Sequence, residues 1–389
     1  MTRPRAILLT HRIPYPPDKG DKIRSWRLLL SLSERYDVAL GTYVDDEADW
    51  QHTETVRAHC AEALFLPLPA RVKARRAALG LARGQAVNVA VYDDPRMKAF
   101  VAAERARGPA VEVAFSSGVA PLLAGGEAPL LVDLADADSA KYAAYAEDAG
   151  WPKTWLYERE ARRLAKLETG LTRTAEKVFL VTPEEAALVA GLPGADASRI
   201  DHYRNGVDTE SFAPGVAPHP ERFDTILTGA MDYAPNGAAA AFFAREVLPL
   251  LPGVTFAAVG ARPTPAVKAL AELPGVTVTG RVADIRPYLA AARVAVAPLD
   301  VARGVQNKVL EAMAMGLPVV ASSGAARGSG AEPGAHLVTA DGAEATAEAV
   351  RGLLADPEAA AALGTRARAH CAEHLTWAAG LSRFEAALP

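Results

Sequence analysis

Short apolar runs bounded by turn residues recur along this chain, and most are followed by a stretch whose apolar residues fall at helical spacing. Runs of that length are too short for helices and lack polar alternation, so they read as strands buried on both faces. The first, residues 6–10, meets a loop rich in Pro and Gly, 11–21, and then a helical pattern from Lys22 to about Arg35 carrying Ile23, Trp26, Leu29, Leu30 and Leu32. Further strands are predicted at 37–43, 63–68, 111–116, 129–134 and 177–182. After residue 220 the alternation grows more regular, with strands at 225–230, 254–260, 276–280, 293–298 and 318–322, and helices including 237–251 and 307–315. Strands alternating with helices build parallel sheets covered on both faces, which predicts an α/β, doubly wound fold.

The 389 residues exceed one ordinary core at roughly 100–200 residues per domain, so two lobes and a cleft are expected. Segment 205–220 has Gly206, Gly215 and three prolines and no periodicity, which marks it as the linker. A formal net charge of −4 gives no field for nucleic acid. Cys60 and Cys371 stand far apart, without a partner at metal-ligand spacing, so neither metal nor disulfide is expected and a reducing cytoplasm fits. The apolar run Ala6 to Leu9 is too short for a signal core, and no run approaches the ~18 apolar residues of a membrane span.

Ligands of open α/β sheets bind beyond the carboxyl ends of strands, here the loops after Thr10, Leu134, Ala230, Gly260, Gly280 and Pro298. The most informative loop leads from Pro298 into the helix at 307. Gly304 permits close backbone approach, the amides at Gln306, Asn307 and Lys308 open a helix where a diphosphate is favoured, and Arg303 and Lys308 add positive charge. Glu311, one turn on, offers two acceptor oxygens to a pair of vicinal ribose hydroxyls. The same residues also read as helix chemistry alone: Asn307 as N-cap, Glu311 as a first-turn acid, Lys308 with Glu311 as an i,i+3 pair.

Arg303-Gly-Val-Gln-Asn-Lys-Val-Leu-Glu311 resembles the nucleotide-sugar loop and helix of retaining GT-B glycosyltransferases of the family 4 type. The resemblance extends to Tyr15-Pro-Pro-Asp-Lys-Gly-Asp21, whose Gly20 it places beside the donor phosphates, and to Asn205-Gly-Val-Asp-Thr-Glu-Ser-Phe212 at the change of lobe. Thr228-Gly-Ala-Met-Asp-Tyr-Ala-Pro-Asn236 is similar to a subgroup linked to exopolysaccharide and protein-sorting (PEP-CTERM) gene clusters. The resemblance implies a GT-B architecture of two Rossmann-like lobes facing a cleft. Residues 1–205 would form an acceptor-side lobe, 206–372 a donor-binding lobe, and 373–389 a helix returning to the first lobe. It implies a retaining hexosyltransferase that moves a sugar from a nucleoside diphosphate sugar to a glycan or lipid-linked acceptor. Residues Gly20, Arg281, Arg303, Gly304, Val305, Gln306, Asn307, Lys308 and Glu311 would bind the donor, with no bound cofactor or metal.

Two departures from the family pattern matter. Arg303 stands where many members have a first glutamate, and Met231-Asp232-Tyr233 replaces a usual Arg and Lys, leaving Arg281, Arg303 or Lys308 to supply the charge. Asp136 and Asp138 occupy the place where many relatives have a histidine near the reacting sugar; they are the catalytic candidates, with helix capping the alternative. His11 lies in the first loop. The basic stretch Arg71 to Arg76, with Leu79 and Leu81, reads either as a solvated helix face or as a dock on an anionic membrane surface at the inner face of the membrane. Competing readings are a nucleotide-sugar epimerase on the same fold and a non-catalytic nucleotide-sugar-binding relative.

Overall fold

In the computed structural model, residues 3–147, 149–300 and 304–389 are described. They divide into two units: Met1–Arg204 with Leu381–Pro389, and Asn205–Gly380.

The first unit is built on seven parallel strands: β1 (Arg5–Thr10), β2 (Asp37–Val44), β3 (Glu62–Pro67), β4 (Val111–Phe115), β5 (Leu130–Ala135), β6 (Lys177–Leu180) and β7 (Ile200–His202). Their order is β3-β2-β1-β4-β5-β6-β7, so the winding reverses at β1. Leu8 of β1 pairs with Leu40 on one side and Val113 on the other, all of them buried. This is the two-sided burial that unalternated apolar runs require. The final residues complete this unit: Phe384 is fully buried against Phe179 and Tyr203, and the Tyr36 hydroxyl donates to Pro389 O at 2.8 Å.

The second unit has six parallel strands: β8 (Phe223–Thr228), β9 (Phe256–Val259), β10 (Val276–Val278), β11 (Ala292–Ala297), β12 (Val319–Ala321) and β13 (Val338–Thr339), in the order β10-β9-β8-β11-β12-β13. The reversal here falls at β8. Helix starts in both units follow their local chemistry. Thr182, Ser322 and Asp356 accept hydrogen bonds from amides of the helices they precede, and Pro183 and Pro357 open two of those helices, where a missing N–H costs nothing.

Three expectations need correction. Strands β7 and β13 were not predicted. The helix expected over 237–251 runs only through Ala234–Phe242, then widens into a π turn, Phe243–Val247, and tightens into a 3-10 turn, Leu248–Leu250. Pro249 explains this, because its ring and missing N–H break the i to i−4 ladder.

Candidate functional site

In the second unit the carboxyl ends of β8 and β9 converge. Gly229 has φ +142° and Gly260 φ +155°, and a Cβ on Gly260 would lie 1.7 Å from Gly229 O, so the loops touch backbone to backbone. A Cβ on Gly229 would stand 2.6 Å from Asn236 Nδ2 and 3.4 Å from Lys308 Cε. Lys308 therefore reaches across from the helix Asn307–Ala314 to the end of β8.

That helix begins without a side-chain cap. Gln306 holds the cap position, its carbonyl accepting from Val309 N at 2.9 Å, while its side-chain oxygen accepts from Lys308 Nζ at 3.2 Å. The expected N-cap, Asn307, lies inside the helix and accepts from Asn205 Nδ2 at 3.2 Å. First-turn amides have no partner within a helix, so an uncapped start presents its N–H groups and the positive end of its dipole to an anion. Gly304, with φ +61°, lets the preceding loop approach helix Ser323–Ser329 so closely that a Cβ on Gly328 would meet Gly304 O at 1.9 Å. Val305 and Gln306 are half-buried in this loop, and Arg303 lies outside the described residues.

Lys308 and Glu311 are half-buried and oppositely perturbed. Burial pushes the lysine down to about 8 against the pull of Glu311, and pushes the carboxyl up to about 7 against the pull of Lys308. The Glu311 carboxylate accepts no hydrogen bond from any described residue. The expected pair thus persists as a long-range attraction, leaving the acceptor oxygens to another donor. Arg281 is exposed, just past β10 and Gly280. Arg262, not singled out in the sequence, ends the β9 loop and pairs with Asp232 at 2.6 Å, so the acid that interrupts the family pattern has its own cation. Asn236 is buried; its Nδ2 donates to Ala230 O at 2.9 Å and its Oδ1 meets no partner.

In the first unit Gly20 opens helix Gly20–Arg35. The preceding loop is held by charges that the sequence pattern did not single out. Arg12 donates to Asp21 at 2.7 Å and by two nitrogens to Asp45 at 3.0 Å, and Lys73 also donates to Asp45, at 2.8 Å. Burial alone would raise the Asp45 carboxyl, but Arg12 and Lys73 outweigh it and hold it down to about 2. His11 stacks on Phe115, its Nε2 is 3.2 Å from Asp21, and its Nδ1 is buried without a partner. No local periodicity announces this network, because Arg12 and Asp45 come from two loops and Asp21 and Lys73 from two separate helices.

Asp136 and Asp138 follow β5. Two carboxylates from elsewhere satisfy the amides around them: Glu185 accepts from Ala137 N at 2.7 Å and Glu168 from Ser139 N at 2.9 Å. Burial lifts the Glu168 carboxyl to about 7, with the Ser139 hydrogen bonds opposing. The cap on helix Asp138–Glu147 is thus supplied by Glu168. Asp138 instead accepts from the Ser117 hydroxyl and, at 3.4 Å, from Asn88 Nδ2. No group of three or more His, Cys, Asp or Glu among the described residues is arranged to hold a metal.

Residues 222–356, roughly a third of the chain, match the family described as glycosyl transferases group 1. No curated protein matches. Among solved structures, Anabaena HepE in complex with UDP and glucose is similar with a TM-score of 0.73 at 15% identity, over 98% of this chain and 99% of that one. Sucrose-phosphate synthase from Thermosynechococcus elongatus is similar at 0.73 and 20% identity, over 98% of each chain. WaaG, a glycosyltransferase involved in lipopolysaccharide biosynthesis, gives 0.66 at 17% over 98% of each. With two parallel-sheet Rossmann-like units that match these structures from end to end, the chain has the GT-B glycosyltransferase fold, and its second unit carries the match to group 1 glycosyl transferases.

Proposed function

We propose that the protein is a retaining glycosyltransferase that moves a hexosyl group from a nucleoside diphosphate sugar to a hydroxyl of a glycan or lipid-linked acceptor. The observation that carries this reading is the uncapped start of helix Asn307–Ala314, with Lys308 beside it and the unengaged Glu311 carboxylate one turn on. A diphosphate fits the first-turn amides and the lysine, and a ribose diol fits the carboxylate. Uridine is the proposed base, because HepE was solved with UDP and with UDP-glucose.

The donor ligands in this reading are Gly20, Arg281, Arg303, Gly304, Val305, Gln306, Asn307, Lys308 and Glu311, from a donor domain over 206–372 and an acceptor domain over 1–205. In transfer the bond from the anomeric carbon to the diphosphate oxygen breaks and a bond to the acceptor oxygen forms on the same face. The acceptor's proton passes to the departing diphosphate, whose charge the helix amides and Lys308 stabilise without a metal. Asp136 and Asp138 would orient the sugar and stabilise positive charge at its anomeric carbon; the hydrogen bonds that Asp138 accepts from Ser117 and Asn88 fix its carboxylate for that role. The setting proposed is exopolysaccharide synthesis, in the cytoplasm and peripheral at the inner face of the membrane.

The test is a thermal-shift panel of UDP, GDP, dTDP, CDP and ADP, with and without chelator. One diphosphate should stabilise selectively and independently of chelator, by ~2.7 kcal/mol at about 100 times its dissociation constant. No shift with any of them at millimolar concentration would overturn the reading.

A further inference from the structure

Seven large hydrophobic side chains are exposed among the described residues, and four of them, Leu79, Tyr145, Trp151 and Trp155, belong to adjoining helical segments of the first unit. Trp151 is 86% exposed and Trp155 52%. Scattered exposed apolar groups are ordinary, but a grouped set marks a contact surface.

The tryptophans stand at the turn between helices Asp138–Glu147 and Lys153–Thr174. On the same two helices the rings of Tyr142, Tyr145 and Tyr157 contact one another at 5.8–6.0 Å, which ties the helices together. Arg159, one turn beyond Trp155 on the same stripe, donates to Gln85 O at 2.8 Å, and Glu160 accepts from Val87 N at 2.6 Å. These bonds bring the end of helix Ala70–Ala82 against the hairpin.

The exposed stripe of that helix carries Arg71, Arg75 and, just past its end, Arg83, interleaved with Ala74, Ala78 and Leu79. Its other two cations turn inward, Lys73 to Asp45 and Arg76 to Asp94. Residues 68–92 contain no Asp or Glu. On the hairpin, Lys153 is exposed beside the tryptophans, and of Glu147 and Glu158, the exposed acids there among the described residues, the second pairs with Arg162 at 3.6 Å; Asp148 lies outside the described residues.

We propose that this face docks on the surface of an anionic phospholipid bilayer, with Trp151, Trp155 and Tyr145 among the headgroups and Arg71, Arg75 and Arg83 against lipid phosphates. The pairing of chemistries selects that occupant. Indole and phenol rings, apolar in body and polar at one edge, suit the headgroup layer, and an acid-free arginine stripe complements negative lipid. No helix among the described residues is long and apolar enough to cross a membrane, and surface docking needs none. The inference gives the peripheral attachment proposed above a defined surface.

Flotation of the full chain with phosphatidylcholine vesicles, with and without phosphatidylglycerol, tests it. Binding should require phosphatidylglycerol, weaken with added salt, and shift tryptophan emission to the blue. Trp151→Ala with Trp155→Ala, and separately Arg75→Glu with Arg83→Glu, should each lower binding by about tenfold or more, because each removes one of the two attractions. All four side chains are exposed, so melting temperature and the nucleotide shift should stay unchanged. Loss of vesicle binding with an intact nucleotide shift would separate docking from sugar transfer. The proposal is overturned if the wild-type chain does not float, if the variants float as well as it does, or if the tryptophans instead mediate self-association or binding of a soluble oligosaccharide without vesicles.

Discussion

Glu311 shows how one residue is asked to serve two ends. Its folded carboxyl holds a proton up to about 7, whereas in the unfolded chain it gives the proton up near 4.5. Between those values the unfolded chain binds fewer protons, so this group's contribution to stability falls as pH rises. Glu168 acts with the same sign over the same window, so the readout is the difference between variants. Melts of Glu311→Gln should show a shallower decline from about pH 4.5 to 7 than wild type and equal or higher stability at pH 7. A ribose diol needs the ionised carboxylate, so wild-type donor affinity should rise with pH through about 7. In Glu311→Gln affinity should be lower by ~10–100-fold, the range of a lost charge-assisted hydrogen bond, and flat with pH. Unchanged affinity would return the residue to simple helix chemistry. The Lys308 to Glu311 segment stood out in the sequence because its place after a strand coincides with its likeness to a nucleotide-sugar helix, while its spacing alone fitted helix chemistry equally well. The network of Arg12, Asp21, Asp45 and Lys73 was not, since each member alone looks like a surface charge and only the fold brings them together.

At the scale of elements, the close approach of the β8 and β9 loops should tolerate no side chain. Gly260→Ala would place a methyl on Gly229 O in a conformation that L-residues avoid, and should destabilise the second unit by about 2 kcal/mol or more. Thermal melts with and without nucleotide check this, with loss of the nucleotide shift expected even where the fold survives. Long elements were readable, because a helix such as Gly20–Arg35 repeats its pattern over several turns. The short strands β7 and β13, three and two residues long, give periodicity nothing to repeat. They are set by pairing at the sheet edge, where Ile200 meets Val178 and Val338 meets Val320. The interruption after Phe242 was visible only as Pro249, which the apolar pattern around it masked.

At the scale of the whole molecule, two units with separate cores should unfold as two events, and nucleotide, most of whose proposed ligands lie in the second unit, should raise chiefly the event belonging to that unit. Phe384→Ala would empty a fully buried aromatic site against Phe179 and Tyr203 and should lower the other event by ~3–5 kcal/mol. Calorimetry showing a single transition shifted as one by either perturbation would refute this division. The return of residues 381–389 to the first unit also has a consequence for biosynthesis. A ribosome delivers Met1–Arg204 before the second unit and Phe384 after it, so the second unit can finish folding while the first still lacks its closing aromatic. The unit that is begun first is therefore closed only after the one that follows it, and until residues 381–389 are delivered its newborn sheet keeps an open apolar groove.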